Sequence, residues 1–245
     1  MAALLRNLRD GASAISLLRQ ARRIGPAPAP ATLVDLALGR RVIRPLQKRA
    51  EFLELATLVG ECRPRAVLEI GTFRGGTLFA FARLAAPDAV IISIDLPISL
   101  LGHVYRLAQA PLFHQFTRAD QRLHLLRRDS HHRDTVAAVT RILRGRPLDF
   151  LFIDGDHAYA SVRADFELYA PLVRPGGLIA FHDIANEPPT GVPRLWEEIR
   201  PRFPHREFVH ERGPTAMGIG VLEMIAAPSA PRAEDTAAHT TTAGA

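Results

Sequence analysis

Cysteine occurs once in this sequence, at Cys62, which excludes an internal disulfide and any cysteine-based metal framework. Lysine also occurs once, at Lys48, so the formal charge of +6 rests almost wholly on arginine. With its abundant alanine and proline, that bias reads as the codon usage of a GC-rich bacterial genome. Aromatic residues make up only 7% of the chain and form no RNA-binding signature, and no zinc-finger spacing is present. The arginines are interleaved with acids rather than massed, so nucleic acid is not the expected partner. No apolar run approaches the roughly 20 residues of a membrane-spanning helix, and no secretory h-region with a small-residue cleavage site is visible. A reducing cytoplasm is the expected compartment. There is no internal repeat.

What is present is enough apolar material, 47% of 245 residues, for one well-buried α/β core with appendages. Residues 2–24 suit an amphipathic helix, with Leu5, Leu8, Ala12, Ile15 and Leu18 at helical spacing and arginines between them. Such an arm would pack on its own core or on a second subunit, giving a possible homo-oligomer; a membrane-surface helix or transit peptide shares the pattern. "GPAPAPA", residues 25–31, reads as a stiff linker. Residues 32–62 look helical, and the main domain is expected to run from 32 to 226. Residues 227–245 are poor in core-forming side chains and read as a disordered tail.

From Ala66 the pattern changes. "AVLEIG", "AVIISID", "LHLLRRD", "LDFLFID" and "GLIAFHD" are short apolar runs that each end in Asp or Gly. Helical stretches at about 76–85, 133–144 and 159–173 separate several of them, and weaker strand candidates follow at 206–211 and 217–224. Strands alternating with helices imply a doubly wound, mostly parallel sheet, and unbroken apolar runs imply strands buried on both faces. Ligands of such sheets bind beyond the carboxyl ends of the strands. That rule sets Glu69, Gly71, Asp95, Asp129, Asp154 and Asp183 along one rim. So many acids at one edge repel one another unless hydroxyl donors or cations bind there. Capping of the following turns is the plainer use of each Asp alone.

"LEIGTFRGGT" is a strand, a glycine turn at Gly71 and Thr72, and a helix opening at Gly75 and Gly76. Phe73 stands where the G-x-G-x-x-G pattern of dinucleotide binders needs glycine, which disfavours a pyrophosphate cradle and nicotinamide chemistry. Glu69 beside the turn suits a cationic ligand. Asp95 can accept from both ribose hydroxyls, and Asp129 with Ser130 ends the strand where an adenine edge would lie.

Residues about 60–225 resemble the class I S-adenosylmethionine-dependent methyltransferases, in the bacterial branch related to cephalosporin-hydroxylase-type and macrolide-sugar O-methyltransferases. The stretches that carry the resemblance are "VLEIGTFRGGT", "SIDLP", "RLHLLRRDS", "LDFLFIDGDHAYASVRADFELYAPLVRPGGLIAFHDI" and "GVPRLWEEI". The resemblance implies a Rossmann-like seven-stranded sheet with an antiparallel last strand. It implies Glu69, Gly71 and Gly75 at the methionine part of S-adenosylmethionine, with Thr72 and Gly76 in the same loop. Asp95 falls at the ribose, and Asp129 and Ser130 at adenine. It also implies a divalent cation, Mg2+ or Mn2+, held by Asp154, His182 and Asp183, with His157 as general base. Those relatives carry Glu where this chain has His182, so the site has one negative charge fewer. Neighbouring strands lie about 4.8 Å apart, close enough for two terminal carboxylates to share a cation.

The expectation is therefore an S-adenosylmethionine-dependent O-methyltransferase acting on a hydroxyl of a small molecule, such as a sugar of a natural product or glycan. An amine or RNA acceptor is the first rival, and a non-catalytic nucleoside-binding partner protein the second. Plainer readings stand beside several residues. His182 could be a hydrogen-bonded core residue, His131 and His132 are expected to face solvent, "RPGG" at 174–177 is expected as a helix-to-strand turn, and Trp196 as helix packing. The 96–122 insert, with His103, Tyr105, Phe113 and Phe116, has the length and place of a lid at the binding rim.

Overall fold

The computed structural model describes residues 13–21, 23–25, 27–97, 109–186 and 191–226. Leu5, Leu8, Ala12, the 98–108 part of the insert and the 227–245 tail lie outside them. Eight helices are described: α1 (residues 13–21), α2 (Pro30–Gly39), α3 (Arg49–Cys62), α4 (Gly76–Leu84), α5 (Gln109–His114), α6 (Arg133–Leu143), α7 (Tyr159–Tyr169) and α8 (Gly191–Ile199). The strands are β1 (Ala66–Ile70), β2 (Val90–Asp95), β3 (Arg122–Arg127), β4 (Leu148–Ile153), β5 (Val173–His182), β6 (His205–Phe208) and β7 (Ile219–Glu223).

The strands form one seven-stranded sheet in the order β3-β2-β1-β4-β5-β7-β6. β1 through β5 pair in parallel, and β7 runs antiparallel to both β5 and β6. The order reverses at β1, so the crevice of a doubly wound sheet opens beyond the ends of β1, β2 and β4.

Side-chain alternation along the strands builds two cores, one on each face. Val67, Ile91, Phe150, Phe152 and Ala180 pack with α1 to α4, where Phe81 meets Phe150 and Phe152 edge to face at 5.0 and 5.4 Å. Leu68, Ile92, Leu151, Ile153 and Phe181 point the other way, to α6, α7 and α8. Trp196 belongs to this second core: its ring lies where a Cβ on Gly220 would sit, 2.7 Å away, and its Nε1 donates to Glu207 at 2.7 Å. Burial on both faces explains the unbroken apolar runs of β1, β2, β4 and the end of β5, whereas β3, at the edge of the sheet, is only partly buried, against expectation.

The structure moves several sequence boundaries. Pro30 and Ala31, read as the end of the linker, instead open α2, because proline fits the first helical turn, where its missing N–H costs nothing. In α1 the core-facing residues are Leu17 and Ala21, with Leu18 at their side, while Ile15 is 55% exposed. The expected stripe through Ile15 is therefore off by part of a turn, and the described part of this helix lies on the chain's own core. Arg83 ties it down by donating to the Ala21 carbonyl at 2.5 Å. "RPGG" is not a turn before a strand but lies inside β5. There the register against β4 shifts between Leu148 and Phe150, and Gly176, at φ +71°, lets the bulge form. Among the described residues no helix is long and apolar enough to cross a membrane.

Candidate active site

The loop after β1 is shaped by a near-collision. Gly71 sits at φ +91°, and a Cβ built on it would lie 1.9 Å from the carbonyl oxygen of Asp154. The glycine turn therefore crosses directly over the end of β4. Its backbone N–H donates to Ile94 of β2 at 2.9 Å, and the Asp154 N–H donates to Ile70 at 2.8 Å, which locks three strand ends together. Asp95 organises the next residues: its Oδ2 accepts from the N–H groups of Thr72 at 3.1 Å and Phe73 at 2.9 Å. Burial raises the Asp95 pKa, opposed by the Arg127 guanidinium and these loop amides.

A cavity of about 850 Å³ opens over these strand ends, within the usual size range of small-molecule sites. Its walls include Gly71, Thr72, Asp95, Asp129, Ser130, Asp154, His157, His182 and Asp183, so most of the residues expected at the rim share one space. Glu69, Gly75 and Gly76 are not on its walls. Gly75 instead makes room for the Phe113 ring, 2.6 Å from where its Cβ would be. Gly76 makes room for the Ile43 carbonyl at 2.3 Å and the Pro45 ring at 2.5 Å. The two glycines thus leave room for neighbouring chain to pack against the loop.

Glu69 is wholly buried beneath the glycine turn, with neither carboxylate oxygen in good hydrogen-bonding geometry with a donor. Burial pushes its pKa up to about 8; the Thr77 hydroxyl pulls it down, and the Asp154 and Asp95 charges push it further up. Below the unfolded-state value of 4.5 this raised pKa leaves stability untouched, and stability is lost as pH rises towards about 8. Glu69→Gln removes that loss. The ligand-free variant is expected to hold its Tm between pH 5 and pH 8 several degrees better than wild type, as read by circular dichroism melts.

At the β3 end, Asp129 caps its own turn. Its Oδ1 accepts from the His131 N–H at 2.9 Å, and its carbonyl accepts from the Thr135 hydroxyl at 2.7 Å. Beside it lies a cluster the sequence reading missed. His131, expected in solvent, is on the cavity wall, with Nε2 3.3 Å from the buried Asp165 carboxylate and 3.1 Å from the Ser161 carbonyl. Burial raises the Asp165 pKa against the pull of Ser130 and His131. His132 is exposed as expected and caps α6 by accepting from the Asp134 N–H.

At the β4 and β5 ends, one ligand atom each from Asp154, His182 and Asp183 lies within a 4.8 Å cluster. His182 Nδ1 is 3.0 Å from Asp154 Oδ1 and 3.1 Å from Asp183 Oδ2. Yet a proton on Nδ1 would align with neither oxygen as a hydrogen bond, and Nε2 has no partner. His182 and Asp183 are consecutive, so an extended strand would turn them to opposite faces. Asp183 takes φ +65°, which breaks that alternation and brings both side chains to the same point. Although burial works against it, the two carboxylates raise the His182 pKa to about 10. In return, His182 and His157 hold the Asp183 pKa below the usual carboxylate range despite burial.

His157 Nε2 lies 3.1 Å from Asp183 Oδ2, with 44% of its side chain exposed. Its loop is seated by α8: the Gly191 N–H donates to the His157 carbonyl at 2.9 Å, and a Cβ on Gly191 would strike the Tyr159 backbone at 1.9 Å. Asp156 braces the same loop by accepting from the Ser161 hydroxyl at 2.6 Å. The far wall comes from segments without a chemical motif, Pro45–Gln47 ahead of α3 and Pro214–Met217 ahead of β7. Nothing in their local sequence marks them, because only tertiary packing carries them to the rim.

This arrangement defines a doubly wound α/β domain with a cavity at the carboxyl rim of the sheet. Residues 68–184 match the family model described as a methyltransferase domain. The chain is 27% identical over 158 residues to an uncharacterized protein of Sinorhizobium fredii, covering 64% of this chain and 17% of that one. It is 33% identical over 116 residues to an uncharacterized protein of Acanthamoeba polyphaga mimivirus, covering 47% and 50%. The chain thus spans half or less of the length of these curated relatives. Among solved structures, the O-methyltransferase from Bacillus cereus in complex with S-adenosylhomocysteine is similar with TM-score 0.51 and 19% identity, over 80% of this chain and 90% of that one. CalS11, a TDP-rhamnose 3'-O-methyltransferase of calicheamicin biosynthesis, is similar with TM-score 0.53 and 17% identity, over 80% and 92%. Residues 68–184 thus resemble a methyltransferase domain, and the fold is shared with solved O-methyltransferases.

Proposed function

We propose that the protein methylates a hydroxyl of a small molecule, using S-adenosylmethionine and a divalent cation. The observation that carries the reading is the meeting of Asp154, His182 and Asp183 at one point, beside His157, in the cavity that also holds Gly71, Asp95 and Asp129. When bound, the cofactor supplies an electrophilic methyl group on a sulfonium. Asp95 and the Gly71 turn would hold its ribose and methionine parts, and Asp129 with Ser130 its adenine. Glu69, Gly75 and Gly76 would act from beneath, by shaping the loop. Asp154, His182 and Asp183 offer two hard oxygens and an imidazole, a donor set that suits Mg2+ or Mn2+ with positions left for water or substrate. Such a cation lowers the pKa of an oxygen bound to it.

The residues do the rest by position. His157, anchored on Asp183 through Nε2, would take the proton of an acceptor hydroxyl on its other ring nitrogen, Nδ1. The attacking oxygen and the sulfonium neutralise charge as they react, so alignment of the two reactants sets the rate. A sugar of a natural product or glycan is the acceptor class supported by the resemblance to sugar O-methyltransferases, and CalS11 shares the fold. A cytoplasmic setting goes with this chemistry.

A second reading rests on His182 itself. Its raised pKa leaves an imidazolium between two carboxylates, which balances much of their charge without a cation. That version would work on an amine, or without metal. Calorimetry with S-adenosylhomocysteine and with MgCl2, followed by methyl transfer to a panel of sugars with and without EDTA, separates them. The proposal expects cofactor binding, a Mg2+ isotherm and a loss of transfer in EDTA. Transfer that is indifferent to EDTA favours the second reading, and no transfer to any acceptor favours a binding protein.

A further inference from the structure

Gln47 precedes α3 and is 107 residues from Asp154 in sequence, yet its Nε2 donates to Asp154 Oδ2 at 2.6 Å. It is 4% exposed and forms part of the cavity wall. The amide orientation is fixed by the pairing, since the reverse would set its oxygen against a carboxylate oxygen. The two oxygens of Asp154 are therefore divided: Oδ2 faces Gln47, and Oδ1 faces His182 Nδ1 at 3.0 Å.

We infer that Gln47 is a positioning residue that holds Asp154 as a one-oxygen ligand toward the cluster with His182 and Asp183. The inference rests on the cation reading above and extends it to the helical lead-in. Without the amide donor, the Asp154 carboxylate is free to rotate about its last bond, and Oδ1 is no longer held at the cluster. Outer partners of metal-ligating side chains typically change metal affinity about 10- to 100-fold when removed. Gly76 takes part at one remove. The Ile43 carbonyl and the Pro45 ring occupy the space of a Gly76 Cβ, so this glycine seats the segment that ends in Gln47. An alanine there adds a methyl 2.3 Å from the Ile43 oxygen and pushes the segment outward. The lead-in thus serves as a wall of the site and a brace for one ligand.

The test is Mn2+ binding followed by electron paramagnetic resonance, with S-adenosylhomocysteine affinity measured in parallel. The proteins are wild type, Gln47→Met, Gly76→Ala and the double variant. Methionine keeps the volume of glutamine and lacks the donor, so it leaves packing largely in place. Wild type is expected to bind Mn2+. Gln47→Met is expected to bind it at least tenfold more weakly, with cofactor affinity within about twofold. Gly76→Ala should weaken Mn2+ in the same direction, and the double variant should be no weaker than the worse single one, because both changes act through one hydrogen bond. Equal Mn2+ affinity in wild type and Gln47→Met overturns the positioning role while leaving the cation reading intact. Failure of wild type to bind Mn2+ overturns both. A parallel loss of cofactor and metal binding in Gln47→Met also overturns it, because that marks a general structural defect.

Discussion

Asp154→Asn is expected to lose the divalent-cation response while still binding S-adenosylhomocysteine. The side chain keeps its size and sits where three contacts converge: Gln47 on one oxygen, His182 on the other, and the Gly71 turn over the backbone carbonyl. Only the backbone contact concerns the glycine turn, and asparagine leaves it alone. The loss of charge is felt elsewhere. One of the two carboxylates that raise the His182 pKa is gone, so the imidazole moves back toward its ordinary range. The donor set falls from two anionic oxygens to one. Methyl transfer to a hydroxyl is expected to drop about a thousandfold, which corresponds to about 4 kcal/mol of barrier. Mg2+ should no longer give an isotherm, and the S-adenosylhomocysteine Kd should stay within a few-fold of wild type. A variant that retains both transfer and the Mg2+ isotherm removes Asp154 from the chemistry.

Gly71→Ala is expected to cost the fold itself. Two independent penalties act at this position. The backbone lies at φ +91°, which an L side chain rarely adopts, and the new methyl would sit 1.9 Å from the Asp154 oxygen, 2.5 Å from its carbon and 3.0 Å from the Gly155 nitrogen. All three atoms are backbone at the end of a central strand, so none can swing aside. A cost above about 4 kcal/mol is expected, a large share of the 5–15 kcal/mol typical of whole domains. The melting temperature should fall by roughly 8–16 °C or the protein should fail to accumulate in soluble form. Gly145→Ala is the control: φ is +80° there but no atom lies within 4 Å, so only conformational strain of about 1–2 kcal/mol applies. If the two variants melted alike, the close crossing of the turn over β4 would not be a constraint on the fold.

These expectations trace back unevenly to the sequence. The strand runs and their terminal acids are readable because strands buried on both faces give continuous apolar stretches, and the seven strands with a reversed last one follow from resemblance, while the order of the strands in the sheet comes only from the structure. The meeting of Asp154 with Asp183 was readable in outline, since both end apolar runs. That His182 could join them was not derivable from alternation, because it depends on the backbone turning left-handed at Asp183. Gly75 and Gly76 have a packing role that the sequence does not announce: the space of their missing Cβ atoms is taken by Phe113 and by Ile43 and Pro45. His131 and Asp165 went unpaired because they lie 34 residues apart on different elements and no local pattern links them. Gln47 had no signal at all, being a polar residue in a proline-bearing connection whose partner is over a hundred residues away.

The left-handed backbone at Asp183 also restricts how this corner of the protein can drift. Glycine and asparagine tolerate that conformation at least as well as aspartate, whereas other side chains, β-branched ones above all, adopt it at a cost. Exchanging the acid for glutamate would therefore unsettle the chain path into Ile184 and Ala185, which is pinned to Gly218 and Met217. Asparagine at this position would keep the bend and shed the charge, so the shape of the corner is separable from its chemistry.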